Sequence, residues 1–249
     1  LRVFAFSPHQ DLFCCNPEIL HPIPEEIDDE TALLLPSMET AVNLLMDGKP
    51  LIGEKVIIIG QGIIGLLTTS LLSRFPLANL VTIESHRLRR KASLQFGATE
   101  CIDPEDTTFI TRVNDDRGNG GEADLVFELT GNPDALNTAL ALARYSGRII
   151  IGSWYGSKKG SLDLGSFFHR GRVSLISSQV SSISPELLGK WNNRRRLDLA
   201  WDMLRHIIPS DCITHRFPLE DAPLAYRLID KNPEKTIQVI LDHQRTDTI

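Results

Sequence analysis

Val56-Ile57-Ile58-Ile59-Gly60-Gln61-Gly62-Ile63-Ile64-Gly65-Leu66-Leu67 is the stretch that decides the fold. Four β-branched residues in succession read as a strand buried on both faces. The chain then turns through G-x-G-x-x-G into an apolar segment compatible with a helix. Gly60 permits a tight turn, Gly62 lets backbone approach a pyrophosphate, and Gly65 lets helix and strand pack closely. The first N–H groups of such a helix lack carbonyl partners, and its dipole favours an anion there. Glu84 stands about 20 positions on, where a carboxylate accepts hydrogen bonds from both hydroxyls of an adenosine ribose. Strand, glycine turn, helix and acid together point to a dinucleotide site.

Outward from this stretch, strands and helices alternate. Strands are expected at Leu80–Ile83, Glu100–Ile102, Asp124–Leu129, Arg148–Ile151 and Val173–Val180. Helices are expected from Gly65 to about Arg74, over Arg87–Phe96, and over Pro133–Tyr145 with Gly147 closing the last. Upstream, Thr40–Met46 reads as a helix, with Gly48 suited to a left-handed cap and Pro50 blocking continuation. The loop Arg117–Gly121 is glycine-rich. This βαβ succession requires a mostly parallel, doubly wound sheet with helices on both faces, an α/β fold. Ligands sit at the carboxyl ends of strands in such sheets, so Leu129-Thr130-Gly131-Asn132-Pro133 and Ile151-Gly152-Ser153-Trp154-Tyr155-Gly156 should face the cofactor. After Pro185 the pattern changes to a helix at Arg194–Ile208, a strand at Ile213–Phe217, a helix at Leu219–Ile229 and a strand at Thr236–Leu241. That tail is too small for its own core and should pack on the proline-rich segment 1–36.

At 249 residues the chain has ample core for one large or two small domains. A net charge of −6 argues against nucleic-acid and anionic-membrane partners. No apolar run is long enough to span a bilayer, and the N-terminus lacks a signal-peptide pattern. It also does not begin with methionine, which points to further sequence upstream. Cys14, Cys15, Cys101 and Cys212 show no zinc or disulfide spacing, which suits a reduced, cytoplasmic setting. The histidines are scattered, and none makes a paired metal motif.

The segments EKVIIIGQGIIG (54–65), FGATECID (96–103), ADLVFELTGNPDAL (123–136), GRIIIGSWYG (147–156) and ITHRFPLEDAPLAY (213–226) occur in the order seen in a known family. Together they resemble the medium-chain dehydrogenase/reductase family, closest to its zinc-type alcohol dehydrogenase-like branch. The resemblance implies a Rossmann domain over 41–185. Segments 1–40 and 186–249 would then be pieces of a GroES-like catalytic domain. It implies NAD, less readily NADP, with the amides of Ile63 and Ile64 at the pyrophosphate and Glu84, with Arg89 beside it, at the ribose. Leu129, Thr130, Ile151, Gly152 and Ser153 would line the nicotinamide side. It also implies nicotinamide-dependent oxidation of a small alcohol or reduction of a carbonyl, and a homodimer joined through Val173–Val180.

The family's catalytic zinc is expected, but its ligands are not present in this chain. Leu35 occupies the position of the third ligand, and Glu39 is the nearest group of catalytic potential. A zinc-free reductase of the same superfamily and a non-catalytic dinucleotide-binding protein are the alternatives. On cofactor choice, Glu84 opposes a 2′-phosphate while Arg87, Arg89, Arg90 and Lys91 would attract one; exposed ion pairs are weak, so NAD is expected.

Overall fold

The computed structural model describes residues 1–10, 12–109, 111, 120–207 and 211–243. In chain order the main elements are β1 (Val3–Phe4), β2 (His21–Pro22), α1 (Asp29–Ala32), α2 (Leu35–Gly48), β3 (Lys55–Ile59) and α3 (Ile63–Leu72). Then come β4 (Asn79–Ile83), α4 (Arg87–Gln95), β5 (Glu100–Ile102), β6 (Ala123–Glu128), α5 (Ala135–Leu142) and β7 (Ala143–Ile151). The last are α6 (Phe167–Arg170), β8 (Ser174–Ser177), α7 (Asn193–Leu204), β9 (Ile213–Pro218), α8 (Ala222–Lys231) and β10 (Gln238–Asp242).

The β-branched run forms β3, in the interior of a six-stranded parallel sheet of order β5-β4-β3-β6-β7-β8. Successive side chains of a strand point to opposite faces, and here both faces are apolar. Val56 and Ile58 cluster with Leu44 of α2 and Leu72 of α3. Ile57 and Ile59 cluster with Leu136 and Leu140 of α5. The sheet is therefore doubly wound, as its sequence implies. Strand order reverses between β3 and β6, and that switch point opens a crevice at the carboxyl ends of the strands.

The helix before β3 differs from its expected form in length and in its cap. It starts at Leu35, with Pro36 in its first turn, where proline's missing N–H costs nothing. Gly48 is its last helical residue, and the left-handed position falls on Lys49 (φ 47°). Gly48 serves packing instead: a Cβ there would lie 2.7 Å from Cζ of Phe127. A similar shift occurs after α5, which ends at Leu142. Residues 143–145 belong to β7, Ser146 takes the positive φ (57°), and Gly147 lies within the strand. β8 covers only the middle of Val173–Val180. Most of the Arg117–Gly121 loop, and Ile208, lie outside the described residues.

The terminal segments form two separate two-stranded sheets, β1–β2 antiparallel and β9–β10 parallel. They meet in one core, where Ile27, Ala32 and Leu35 pack with Leu197, Trp201, Leu204, Ile213 and Ile240. Phe4 meets Trp201 edge-on at 6.3 Å. Arg216 pairs with Glu30 at 2.5 Å, and Arg205 pairs with Glu26. Leu66 and Leu71 of α3 belong to the same cluster, so tail and dinucleotide-type sheet share a core.

Candidate functional site

The glycine turn is built as its spacing demands. Gly60 has φ 96°, and a Cβ on it would meet the backbone of Leu129 at 2.8 Å. The β3 turn thus closes tightly on the loop after β6. A Cβ on Gly65 would lie 2.1 Å from the Gly60 carbonyl oxygen, so only glycine lets the helix start this near the turn. Gly62 has nothing within 4 Å on its Cβ side and faces open space. Leu66 N–H is bonded back to the Gly62 carbonyl at 2.9 Å, so the amides of Ile63 and Ile64 ahead of it have no carbonyl within the helix.

That open space is a cleft of about 660 Å³ over the switch point, lined by Gly60, Gly62, Glu84, Arg89, Leu129 and Thr130 among others. Its size is in the range of cofactor sites. Glu84 is buried at the end of β4. Its Oε2 accepts the Gln61 N–H at 2.8 Å and its Oε1 accepts the His86 N–H at 2.8 Å. The carboxylate is thereby oriented by the turn itself, and with about four acceptor sites it keeps capacity for hydroxyl donors. The buried Gln61 adds to the brace, with its Nε2 donating to the Gly60 carbonyl at 3.1 Å and its Oε1 accepting from Thr69 at 2.9 Å.

The basic cluster after Glu84 is largely engaged. Arg89 donates to the carbonyls of Thr236 (2.9 Å) and Pro233 (3.1 Å). Arg90 pairs with Asp103 at 2.8 Å and donates to the Glu84 and Ser85 carbonyls. Arg87 is exposed on the surface of α4.

At the other end, the loops after β6 and β7 are cross-linked. Gly131 N–H donates to Ser153 Oγ at 2.8 Å, and Gly152 N–H donates to the Glu128 carbonyl at 3.1 Å. A Cβ on Gly152 would meet Leu129 and Leu44 at 2.6 Å, so glycine lets this loop lie flat on α2. Gly60, Gly62, Glu84, Arg89, Leu129 and Thr130 therefore share one cleft. Ile151, Gly152 and Ser153 do not line it; Ser153 is tied to the loop that does through the Gly131 N–H. Asn132, in the loop expected to face the cofactor, does line the cleft; sequence reasoning passed over Gln61 and Asp134, and also Glu128, which is fully buried below Thr130. A charged residue inside an otherwise apolar strand, as in Leu125-Val126-Phe127-Glu128, is the signal that marks Glu128.

Zinc does not fit these residues. Leu35 is fully buried in the core. Glu39 accepts from Arg196 Nη2 at 3.0 Å and Nε at 3.2 Å. Arg196 is itself 2% exposed and donates to Asn43 at 2.7 Å and to the Val180 carbonyl. Among the described residues no group of three or more His, Cys, Asp or Glu side chains is placed to hold a metal.

A family model described as zinc-binding dehydrogenase matches residues 64–191. The chain belongs to the zinc-binding dehydrogenase family. Within it, the chain is 22% identical over 223 residues to D-guloside 3-dehydrogenase of Escherichia coli strain K12, covering 88% of this chain and 63% of the relative. It is 26% identical over 214 residues to L-threonine 3-dehydrogenase of Bacillus subtilis strain 168, covering 83% of this chain and 56% of that one. Among solved structures, L-idonate 5-dehydrogenase from E. coli superposes with a TM-score of 0.74 at 20% identity, over 90% of this chain and 60% of the other. A short chain alcohol dehydrogenase from E. coli CFT073, solved with NADH, gives 0.74 at 21%, over 91% and 63%. At these identities the structural likeness establishes the Rossmann-type fold. The chain spans about three-fifths of the length of these relatives.

Proposed function

We propose that this chain is the cofactor-holding part of a nicotinamide-dependent oxidoreductase that interconverts a small alcohol or polyol and its carbonyl form. The observation that carries the reading is the Gly60–Gly65 turn braced on Glu84 beneath an open cleft at the switch point. Family membership and the NADH-containing neighbour support it. When bound, the dinucleotide supplies hydride chemistry at its nicotinamide ring. The chain's own residues bind and orient it. The Ile63 and Ile64 amides take the pyrophosphate, and Glu84 takes the adenosine ribose hydroxyls. The Leu129–Thr130 and Ile151–Ser153 loops bound the nicotinamide half.

NAD is favoured over NADP because Glu84 opposes a 2′-phosphate while Arg89 and Arg90 are already engaged. A zinc-free course of reaction is favoured by Leu35 in the core and by the Glu39–Arg196 pair, which leaves Glu39 a positioning role on α2. We assign a homodimer joined along the free edge of β8 and a cytoplasmic setting to the same reading. Among the described residues no helix is long and apolar enough to cross a membrane. Calorimetric titration of the chain with NADH tests the function. Saturable one-site binding that ADP-ribose displaces is the expected result, and absence of binding to either nucleotide overturns it.

A further inference from the structure

Glu128 is 0% exposed and has no cation partner among the described residues. An ionised carboxylate in such a place is costly unless several donors satisfy it. Here three do. Thr130 N–H and Thr130 O–H reach Oε1 at 2.8 and 2.5 Å, and the Tyr155 O–H reaches Oε2 at 2.5 Å. Every contact is a donor, which fits an acceptor-only carboxylate. The O–H bonds are in the range of charge-assisted ones. Burial, and then the bond to Glu128, push the Tyr155 phenol well above the ordinary tyrosine range, so it remains the donor.

The pair sits under the second half of the sheet. In a fold of this topology the first three strands hold one mononucleotide and the strands beyond the switch point hold the other. Glu84 marks the adenosine half beside β4, so Glu128, at the end of β6, underlies the nicotinamide half. Donors from neutral groups alone leave its net charge in place. The oxidised nicotinamide ring is cationic and the reduced ring is neutral. A fixed negative charge nearby, screened by protein rather than water, acts on one form and not on the other.

We propose that Glu128, capped by Tyr155, is a positioning and specificity-determining group that tightens binding of the oxidised dinucleotide relative to the reduced one. The inference rests on the nicotinamide reading given above. Tyr155 has a double role: its bond joins the loop after β7 to β6, and it supplies one of the donors that keep the buried carboxylate charged. The two side chains therefore act in the same direction on the balance of oxidised and reduced forms.

The test is calorimetric titration of the full chain and of Glu128→Gln and Tyr155→Phe with NAD⁺, NADH and ADP-ribose. Glu128→Gln should weaken NAD⁺ relative to NADH by about threefold or more. Tyr155→Phe should move the same ratio in the same direction by a smaller factor, and ADP-ribose should stay within about twofold in both, because the adenosine half is untouched. Should Glu128→Gln not fold, Tyr155→Phe alone carries the sign of the effect. An unchanged NAD⁺/NADH ratio in a chain that binds both overturns the proposal and spares the cofactor reading. A parallel loss of all three ligands also overturns it, since that marks a structural pair only. If the unmodified chain binds neither NAD⁺ nor NADH, the cofactor reading fails and takes the proposal with it.

Discussion

Replacing Glu84 by glutamine should be felt twice, once in stability and once in cofactor choice. The carboxylate accepts one backbone N–H on each oxygen, from Gln61 and from His86, both at 2.8 Å. Glutamine keeps one oxygen and presents an NH₂ to the other donor, which leaves that buried N–H facing a donor. A hydrogen bond to a charged acceptor is worth about 1.5–3 kcal/mol. For a chain of this size each kcal/mol moves the melting point by about 2–4 °C, so a drop of roughly 3–12 °C is expected. The second effect concerns the ribose. The unmodified chain should bind NADH at least about tenfold more tightly than NADPH, since one lost charged bond of about 1.4 kcal/mol is a factor of ten. Glu84→Gln should narrow that margin mainly by admitting NADPH. Thermal denaturation and fluorescence titration with both reduced cofactors at fixed ionic strength measure the two effects. NADPH binding that equals or exceeds NADH in the unmodified chain would show that the arginines set the choice. An unmoved melting point would show that the carboxylate does not brace the glycine turn.

Three further outcomes are expected. Arg196→Met strands the Glu39 carboxylate, whose Arg196 partner is 2% exposed, and should lower stability by about 3–5 kcal/mol in urea unfolding, with Glu39→Met added in the same chain recovering much of it. A silent Arg196→Met would show that the Glu39–Arg196 pair does not hold α2 to α7. Proline at Ile176, in the free-edge strand β8, should abolish self-association in light scattering; a chain that is monomeric at micromolar concentration before substitution refutes the edge pairing. Burial pushes the Cys212 thiol up to about 12, so it should resist a thiol reagent at pH 8 in the folded protein while exposed Cys14 reacts; equal rates for both would contradict that burial.

The sheet was legible because β3 signals itself twice, by its β-branched run and by the glycines behind it. The strand positions, the Glu84 spacing and the alternation that follows are local patterns, and the structure keeps them. What local pattern misplaced were helix ends. Gly48 was read as a cap because glycine tolerates positive φ, yet tertiary packing against Phe127 uses its missing side chain, and Lys49 takes the strained position. The same competition moved the end of α5, where the β7 ladder claims residues 143–145 ahead of helix propensity. In the site, Glu84 and the helix amides were visible from spacing alone. Arg196–Glu39 and Tyr155–Glu128 were not, because each joins side chains far apart in sequence whose types are unremarkable until burial is known.

The Arg89 bond to Thr236 spans 147 positions. A cation lining the cleft is thus held by two carbonyl groups of the short turn between α8 and β10, rather than by anything in the cleft. On the reading that Glu84 opposes a 2′-phosphate, a change of preference would involve this turn as well as Glu84. Shortening or re-routing residues 233–236 would free the Arg89 guanidinium beside the cleft. Drift in this turn, remote in sequence from the glycine motif, would therefore alter a neighbour of the cleft with every residue of that motif unaltered.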